Sequence, residues 1–139
     1  MTLKDKQIFI VEDNLQNRVI FQMILLKHGC SVNFERWGRD TVSRLKGLRQ
    51  VDAIILDLML ASGVTGYDIF TEIRSMPEFH HIPIVAVSAS EPSIAMPKTQ
   101  QMGFTGFIAK PIDTILFPKQ MSQVIEGTHV WFAGERSLE

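Results

Sequence analysis

The sequence has little cysteine, little net charge and no long apolar segment, and each shortage excludes a class of protein. Its only cysteine among 139 residues is Cys30, so no internal disulfide can form, which favours a reducing compartment. The formal net charge of −1 provides no global attraction to nucleic acid or to an acidic membrane. No apolar run approaches the ~20 residues of a membrane helix, and the N-terminus lacks the apolar region of a signal peptide. We therefore expect a soluble cytoplasmic protein that neither binds nucleic acid directly nor inserts into a membrane.

The composition that remains is that of one packed globular domain. Hydrophobic residues make up 45% of the chain and charged residues 21%, which is ordinary for a folded domain of this length. Short apolar runs alternate with helical patterns five times. The runs are Gln7 to Val11, Ser31 to Glu35, Ala53 to Leu56, Ile82 to Ser88 and Gly106 to Ala109. This alternation predicts an α/β fold with a five-stranded parallel sheet that helices cover on both faces.

The first helical segment has apolar residues at intervals of three and four. These residues are Leu15, Val19, Met23 and Leu26, with Ile20 and Ile24 beside them. The spacing predicts a helix. Asp13 or Asn14 can cap the start of the helix, and Gly29 can end it.

Two later segments are harder to interpret. Pro97 lacks a backbone N–H and disfavours a helix interior, so we expect the fourth helix to begin near it or to be displaced. Residues 127–139 show no periodicity. Within them, Trp131 and Phe132 either pack back on the last helix or contact a partner.

Four of the five predicted strands end on a polar side chain. Glu12 and Asp13 follow the first strand, Asp57 the third, Ser88 the fourth and Lys110 the fifth. Taken singly, each could be a helix cap, a turn residue or solvated surface. Right-handed crossovers, however, bring the carboxyl ends of parallel strands to one edge of the sheet, where ligands bind in such folds. Three carboxylates, a hydroxyl and an ammonium group at one edge are suited to a phosphoryl site.

The chemistry of phosphoryl transfer explains this set of residue types. Clustered carboxylates repel one another, and a hard divalent cation such as Mg²⁺ relieves the repulsion. A carboxylate can also attack phosphorus and become an aspartyl phosphate. Asp57, at the end of a central strand, is the natural nucleophile. The metal and Lys110 would neutralise charge, and Ser88 would supply one more donor.

The segments IFIVEDN, IILDLML, IVAVSAS and GFIAKPID, in this order, resemble the receiver domain of two-component response regulators. The resemblance implies a flavodoxin-like, doubly wound sheet with strand order 2-1-3-4-5. We therefore expect a receiver domain over residues 6–126 and a C-terminal tail over residues 127–139. The motif formed by Glu12, Asp13 and Asn14, followed by Asn17, is most similar to that of single-domain receivers and of receivers attached to hybrid kinases.

The resemblance also implies a phosphoacceptor and a metal site. Asp57 would accept a phosphoryl group from the phosphohistidine of a sensor histidine kinase or a histidine phosphotransfer protein. Asp13, Asp57 and the main-chain carbonyl of Met59 would bind Mg²⁺, with Glu12 acting through a water molecule.

The remaining implied roles concern the response to the phosphoryl group. Lys110 would contact that group, and Ser88 would hydrogen-bond to it in the active state. Phe107 would swing inward together with Ser88. The peptide bond between Lys110 and Pro111 is expected to be cis.

The sequence departs from the family pattern in the loop after the phosphoacceptor. Many receivers have proline four residues after that aspartate, where this chain has Ala61. Gly66, which opens the third helix, comes one residue late, so we expect a longer loop. Met59 and Ser90 occupy positions that modulate autodephosphorylation in the family. The resemblance therefore does not predict how long a phosphoryl group would persist on this chain.

We interpret the chain as a receiver that switches partner binding, with an unnamed output protein. Its only chemistry would be Mg²⁺-dependent self-phosphorylation and autodephosphorylation. One alternative is a receiver fragment of a hybrid kinase or multidomain regulator, and another is a phosphate-independent docking module. A phosphatase or phosphotransferase with an aspartyl nucleophile generally needs a general acid two residues further on, where this chain has Met59.

Overall fold

A computed structural model describes residues 2–134 of the chain. The strands are β1 (Gln7–Val11), β2 (Ser31–Glu35), β3 (Ala53–Leu56), β4 (Ile84–Ser88), β5 (Gly106–Ala109) and β6 (Val130–Phe132). The helices are α1 (Leu15–Lys27), α2 (Thr41–Lys46), α3 (Gly66–Arg74), α4 (Pro92–Met102) and α5 (Phe117–Ile125), with a 3-10 turn at Pro77–Phe79. Among these residues, no helix combines the length and the apolar character that crossing a membrane requires.

The sheet has the order β2-β1-β3-β4-β5-β6, and neighbouring strands are parallel. Strand residues alternate between its two faces. Phe9, for example, joins the cluster that α2, α3 and α4 cover, whereas Ile8 joins the cluster under α1 and α5. Burial on both faces explains why the strands are almost continuously apolar. The predicted doubly wound α/β fold and the order of its first five strands are confirmed.

The number of strands differs from the prediction, because residues Val130–Phe132 add a sixth strand beside β5. Trp131 packs against one core cluster and Phe132 against the other, so both side chains belong to the sheet. The close approach requires Gly106, since a Cβ atom there would lie 2.3 Å from the carbonyl oxygen of Val130. Residues 135–139 of the predicted tail lie outside the described part of the chain.

Helix α1 is present as predicted, but it packs on the sheet with residues outside the spacing pattern that predicted it. Phe21 and Leu25 are buried, and the Phe21 ring lies 5.6 Å from that of Phe117 in α5. Two residues of the pattern are exposed instead, Leu15 at 65% and Met23 at 67%. Helix α1 is apolar on two sides, and spacing alone does not distinguish the side that packs on the sheet.

Helix α4 contains Pro97 in its interior, contrary to the prediction. Pro97 is exposed, so the carbonyl group that loses its helical partner is on the solvent side and can be hydrated. The buried Thr99 hydroxyl donates to the carbonyl oxygen of Ala95 at 2.8 Å, which adds a bond within the same turn. The helix ends at Gly103, whose φ of 98° is left-handed.

Candidate functional site

Three carboxylates meet at the carboxyl edge of the sheet. The register pairs Val11 with Leu56, so the residues that follow β1 and β3 lie side by side. Glu12, Asp13 and Asp57 each offer an oxygen, and the three atoms lie within 4.8 Å of one another. Glu12 is 1% exposed and Asp57 7% exposed, so their charges are poorly solvated. The parallel topology thus brings together the three carboxylates that the sequence predicts at this edge.

Lys110 reaches this cluster from the end of β5. Its Nζ atom lies 2.6 Å from Oε1 of Glu12 and 3.1 Å from Oδ2 of Asp57. One ammonium group therefore bridges two carboxylates through charge-assisted hydrogen bonds. Burial raises the pKa of Glu12 above its usual range, and the Asp57 charge adds to this, while Lys110 acts in the opposite direction. The cluster thus combines strong local charge with little water.

Backbone N–H groups from the two adjoining loops orient the carboxylates. The N–H of Asn14 donates to Oε2 of Glu12 at 3.1 Å, and that of Met59 donates to Oδ1 of Asp57 at 3.2 Å. The N–H of Ala61 donates to Oδ2 of Asp13 at 2.5 Å. In the sequence, Ala61 stands out only because many receivers have proline at this position. A main-chain donor has no side-chain signature, so its contact with Asp13 was not anticipated.

The donor set fits a hard divalent cation. With all three carboxylates ionised, the Lys110 ammonium leaves two negative charges at the site unbalanced. Backbone N–H groups contribute only partial charge, whereas Mg²⁺ carries two positive charges and prefers carboxylate and carbonyl oxygens. The fold and the charge of the site therefore agree with the expected metal.

The loop after Asp57 is closely fitted to the start of α3. Met59 and Thr65 form an isolated β-bridge, and the N–H of Gly66 donates to the carbonyl oxygen of Leu58 at 3.0 Å. A Cβ atom on Gly66 would lie 2.4 Å from the carbonyl oxygen of Asp57. Glycine at the first position of α3 therefore lets the helix begin directly beside Asp57. The Met59 side chain is 70% exposed and so lies at the rim of the site.

Ser88 ends β4 and Phe107 lies within β5, and the Ser88 hydroxyl is hydrogen-bonded to Ser90 rather than to the acidic cluster. The Ser88 hydroxyl pairs with that of Ser90 at 3.0 Å and accepts the Ser90 N–H at 3.2 Å. Phe107 is fully buried in β5, opposite Trp131 of β6. The N–H of Lys110 donates to the carbonyl oxygen of Ser88 at 2.9 Å, which links the two strand ends. The peptide bond from Lys110 to Pro111 is cis, as expected.

Comparison with known proteins identifies the class to which this fold and site belong. The family model described as the response regulator receiver domain matches residues 8–121. That range begins in β1, ends within α5 and includes the three carboxylates and Lys110. The chain belongs to the response regulator receiver domain family, whose members are signalling modules of two-component systems rather than catalytic enzymes.

Curated relatives include both short regulators and large kinases. The chain is 23% identical over 122 residues to the two-component response regulator ORR12 of Oryza sativa subsp. japonica, covering 88% of this chain and 100% of that protein. It is 26% identical over 134 residues to histidine kinase 2 of Arabidopsis thaliana, covering 80% of this chain but 11% of the kinase. Receiver domains of this family thus occur in both contexts.

Solved structures show the same fold. A response regulator from Chloroflexus aurantiacus J-10-fl aligns with a TM-score of 0.81 and 21% identity over 88% of this chain and 99% of the other. The chemotaxis response regulator CheY4 of Vibrio cholerae aligns with a TM-score of 0.77 and 21% identity over 87% and 99% of the two chains. At these identities the likeness shows the flavodoxin-like fold.

Proposed function

We propose that this protein is a phosphorylation-dependent switch in which Asp57 accepts a phosphoryl group. The donor would be the phosphohistidine of a sensor histidine kinase or a histidine phosphotransfer protein. The observation that carries the proposal is the Lys110 ammonium, which holds Oδ2 of Asp57 at 3.1 Å beside the buried Glu12 and the half-buried Asp13. A lone capping aspartate would have no need of two further carboxylates and a buried cation.

The proposed transfer step forms one bond and breaks one. A carboxylate oxygen of Asp57 attacks the phosphorus atom, and the P–N bond to the donor imidazole breaks as the P–O bond forms. The imidazole keeps the electron pair of the broken bond, and the product is an acyl phosphate on Asp57. Lys110 is placed to neutralise charge on Asp57 before transfer and on the phosphoryl oxygens after it.

Mg²⁺ is the ion that we place at the acidic cluster. Asp13, Asp57 and the carbonyl group of Met59 would bind it directly, and Glu12 would act through a water molecule. When bound, the ion would offset the negative charge that otherwise repels an incoming phosphoryl group. The proximity of the three carboxylate oxygens and the two unbalanced charges support this assignment.

The proposed switch acts through Ser88 and Phe107. A phosphoryl group adds charge and acceptor oxygens, which would draw the Ser88 hydroxyl away from Ser90. Phe107 is already fully buried in β5 beside Trp131. Its response would therefore be a shift within the core that β6 also contacts, rather than a swing from solvent.

We place this activity in the cytoplasm, with no chemistry beyond self-phosphorylation and autodephosphorylation. Cys30 is a free thiol, which fits a reducing compartment. The thiol is buried and donates to the carbonyl oxygen of Leu3 at 3.4 Å. Burial raises the pKa of that thiol to about 11, so it remains protonated and unreactive near neutral pH.

Intact-mass analysis tests the proposal. The wild-type protein and the variant Asp57→Asn are incubated with acetyl phosphate, with and without Mg²⁺. We expect one phosphoryl adduct on the wild type in the presence of Mg²⁺, and none on the variant or without the metal. A folded wild-type protein that acquires no adduct from this donor or from a panel of phosphorylated histidine kinases would refute the proposal.

A further inference from the structure

The carboxylate of Asp13 is held by the main chain of the loop after Asp57. Oδ2 of Asp13 accepts the N–H of Ala61 at 2.5 Å, which is shorter than is usual for such a bond. Glu12 and Asp57 also accept a backbone N–H each, but the Lys110 ammonium bridges these two carboxylates as well. The carboxylates of the cluster thus differ in what stabilises their charge, and Asp13 depends on a loop amide.

The position of that amide is fixed by a turn. The N–H of Gly63 donates to the carbonyl oxygen of Leu60 at 3.1 Å, which closes a β-turn with Ala61 at its second residue. The next residue, Ser62, donates its hydroxyl to the carbonyl oxygen of Trp37 at 2.8 Å. The turn is therefore tied to the loop after β2 on one side and to Asp13 on the other.

We propose that Ala61 is a positioning residue whose N–H competes with Mg²⁺ for the Asp13 carboxylate and weakens metal binding. The inference rests on the proposed function only in taking Mg²⁺ as the ion bound at this cluster. A carboxylate oxygen that accepts an amide N–H attracts a cation less strongly, and turning that oxygen towards the ion lengthens its hydrogen bond to the amide. Metal binding therefore weakens the hydrogen bond from the Ala61 N–H.

Substituting Ala61→Pro removes this donor with little other change. Proline has no N–H, and the second position of a β-turn is one that proline favours. The Ala61 side chain is exposed, so the ring meets solvent. Ala61→Val is the matched control, because it adds similar bulk and keeps the N–H.

Calorimetric titration with Mg²⁺ compares the three proteins. We expect Ala61→Pro to bind Mg²⁺ roughly 3- to 10-fold more tightly than the wild type, which is the effect of one such hydrogen bond. Ala61→Val should bind like the wild type. Equal or weaker binding by the proline variant, or no Mg²⁺ binding by any of the proteins, would overturn the inference.

Amide NMR of the wild-type protein tests the same contact without a mutation, and so is unaffected by any stiffening that proline introduces. The Ala61 amide signal should shift as Mg²⁺ is added, with the same affinity as in calorimetry. The Gly63 amide, which is bonded within the turn, should shift much less. An Ala61 amide that does not respond would also overturn the inference. Neither measurement involves phosphorylation, so the failure of Asp57 to accept a phosphoryl group remains a separate result.

Discussion

Lys110 is the residue on which the charge balance of the site depends. Its side chain is 12% exposed, and its ammonium group contacts both Glu12 and Asp57. Removing one partner of such a buried pair leaves uncompensated charge in a poorly solvated place. The effect should therefore appear in stability as well as in phosphorylation.

We predict that Lys110→Met lowers the free energy of unfolding by roughly 1–3 kcal/mol in the absence of Mg²⁺. Methionine preserves most of the side-chain volume, so loss of the charge dominates. Added Mg²⁺ should recover part of the loss, because it supplies the missing positive charge. Urea denaturation with and without Mg²⁺ measures both effects.

Lys119→Met is the control, since Lys119 lies on the exposed side of α5 and its removal should have little effect. Equal stabilities of Lys110→Met and the wild type without metal would show that the bridge contributes nothing to the fold.

Much of the candidate site was predictable from single residues, because parallel topology determines where strand ends meet. Asp57 and Lys110 each follow an apolar run that forms a strand, so the fold itself predicts that their side chains lie close together. The Ala61 amide and the Ser88–Ser90 pair were not predictable. The first is a backbone donor and the second depends on a side-chain rotamer, and neither has a signature in residue type.

At the level of elements, strand β6 depends on Gly106. The carbonyl oxygen of Val130 in β6 leaves no space for a side chain at Gly106, since a Cβ atom there would lie 2.3 Å from it. In the register of β5 and β6, Trp131 lies beside Phe107. Attachment of β6 and burial of the proposed switch residue are therefore linked.

We predict that Gly106→Ala destabilises the protein by roughly 1–3 kcal/mol, the usual effect of overpacking, and detaches β6. Trp131 fluorescence, measured in a Trp37→Phe background, should move to longer wavelength as the indole becomes solvated. Urea denaturation gives the change in stability.

A shortened chain that ends at Gly127 provides the control for β6. There Gly106→Ala should have almost no effect, because the atom that it clashes with is gone. An equal penalty in the full and shortened chains would place the strain within β5 rather than against β6.

The helices and strands differ in how well the sequence predicts them. Strands such as Ala53–Leu56 were predictable because both of their faces are buried. Helix α1 was found, but its orientation was not, since Met23 and Phe21 lie on opposite apolar sides. Strand β6 was not predicted because three residues are too few to show a period. The strand can pair with β5 only because Gly106 has no side chain.

On the scale of the whole molecule, exposed apolar side chains occur along α1 and after the carboxyl ends of the strands. The large exposed hydrophobic residues in the described chain are Leu15, Val19, Ile20, Met23 and Leu26 of α1, with Trp37, Met59, Ile94 and Ile115. The last four follow β2, β3, β4 and β5 respectively, at the edge that carries Asp57. Exposed apolar side chains near a functional site are typical of a protein-binding surface. A phosphodonor protein that reaches Asp57 would pass close to the start of α1.

We predict that Met23→Glu slows phosphoryl transfer from a cognate donor protein roughly 5- to 30-fold, the effect of losing a central interface residue. Transfer from acetyl phosphate should be unchanged, because Met23 lies on the solvent side of α1, about two turns from its first residue. Stability should change by no more than about 0.5 kcal/mol, since the side chain is 67% exposed. Thr71→Glu, an exposed change on α3, controls for added charge and should leave both rates unaltered.

If Met23→Glu slowed transfer from both donors equally, the substitution would be acting on the Asp57 site itself. If it slowed neither, the donor would have to approach over the strand-end residues without using α1.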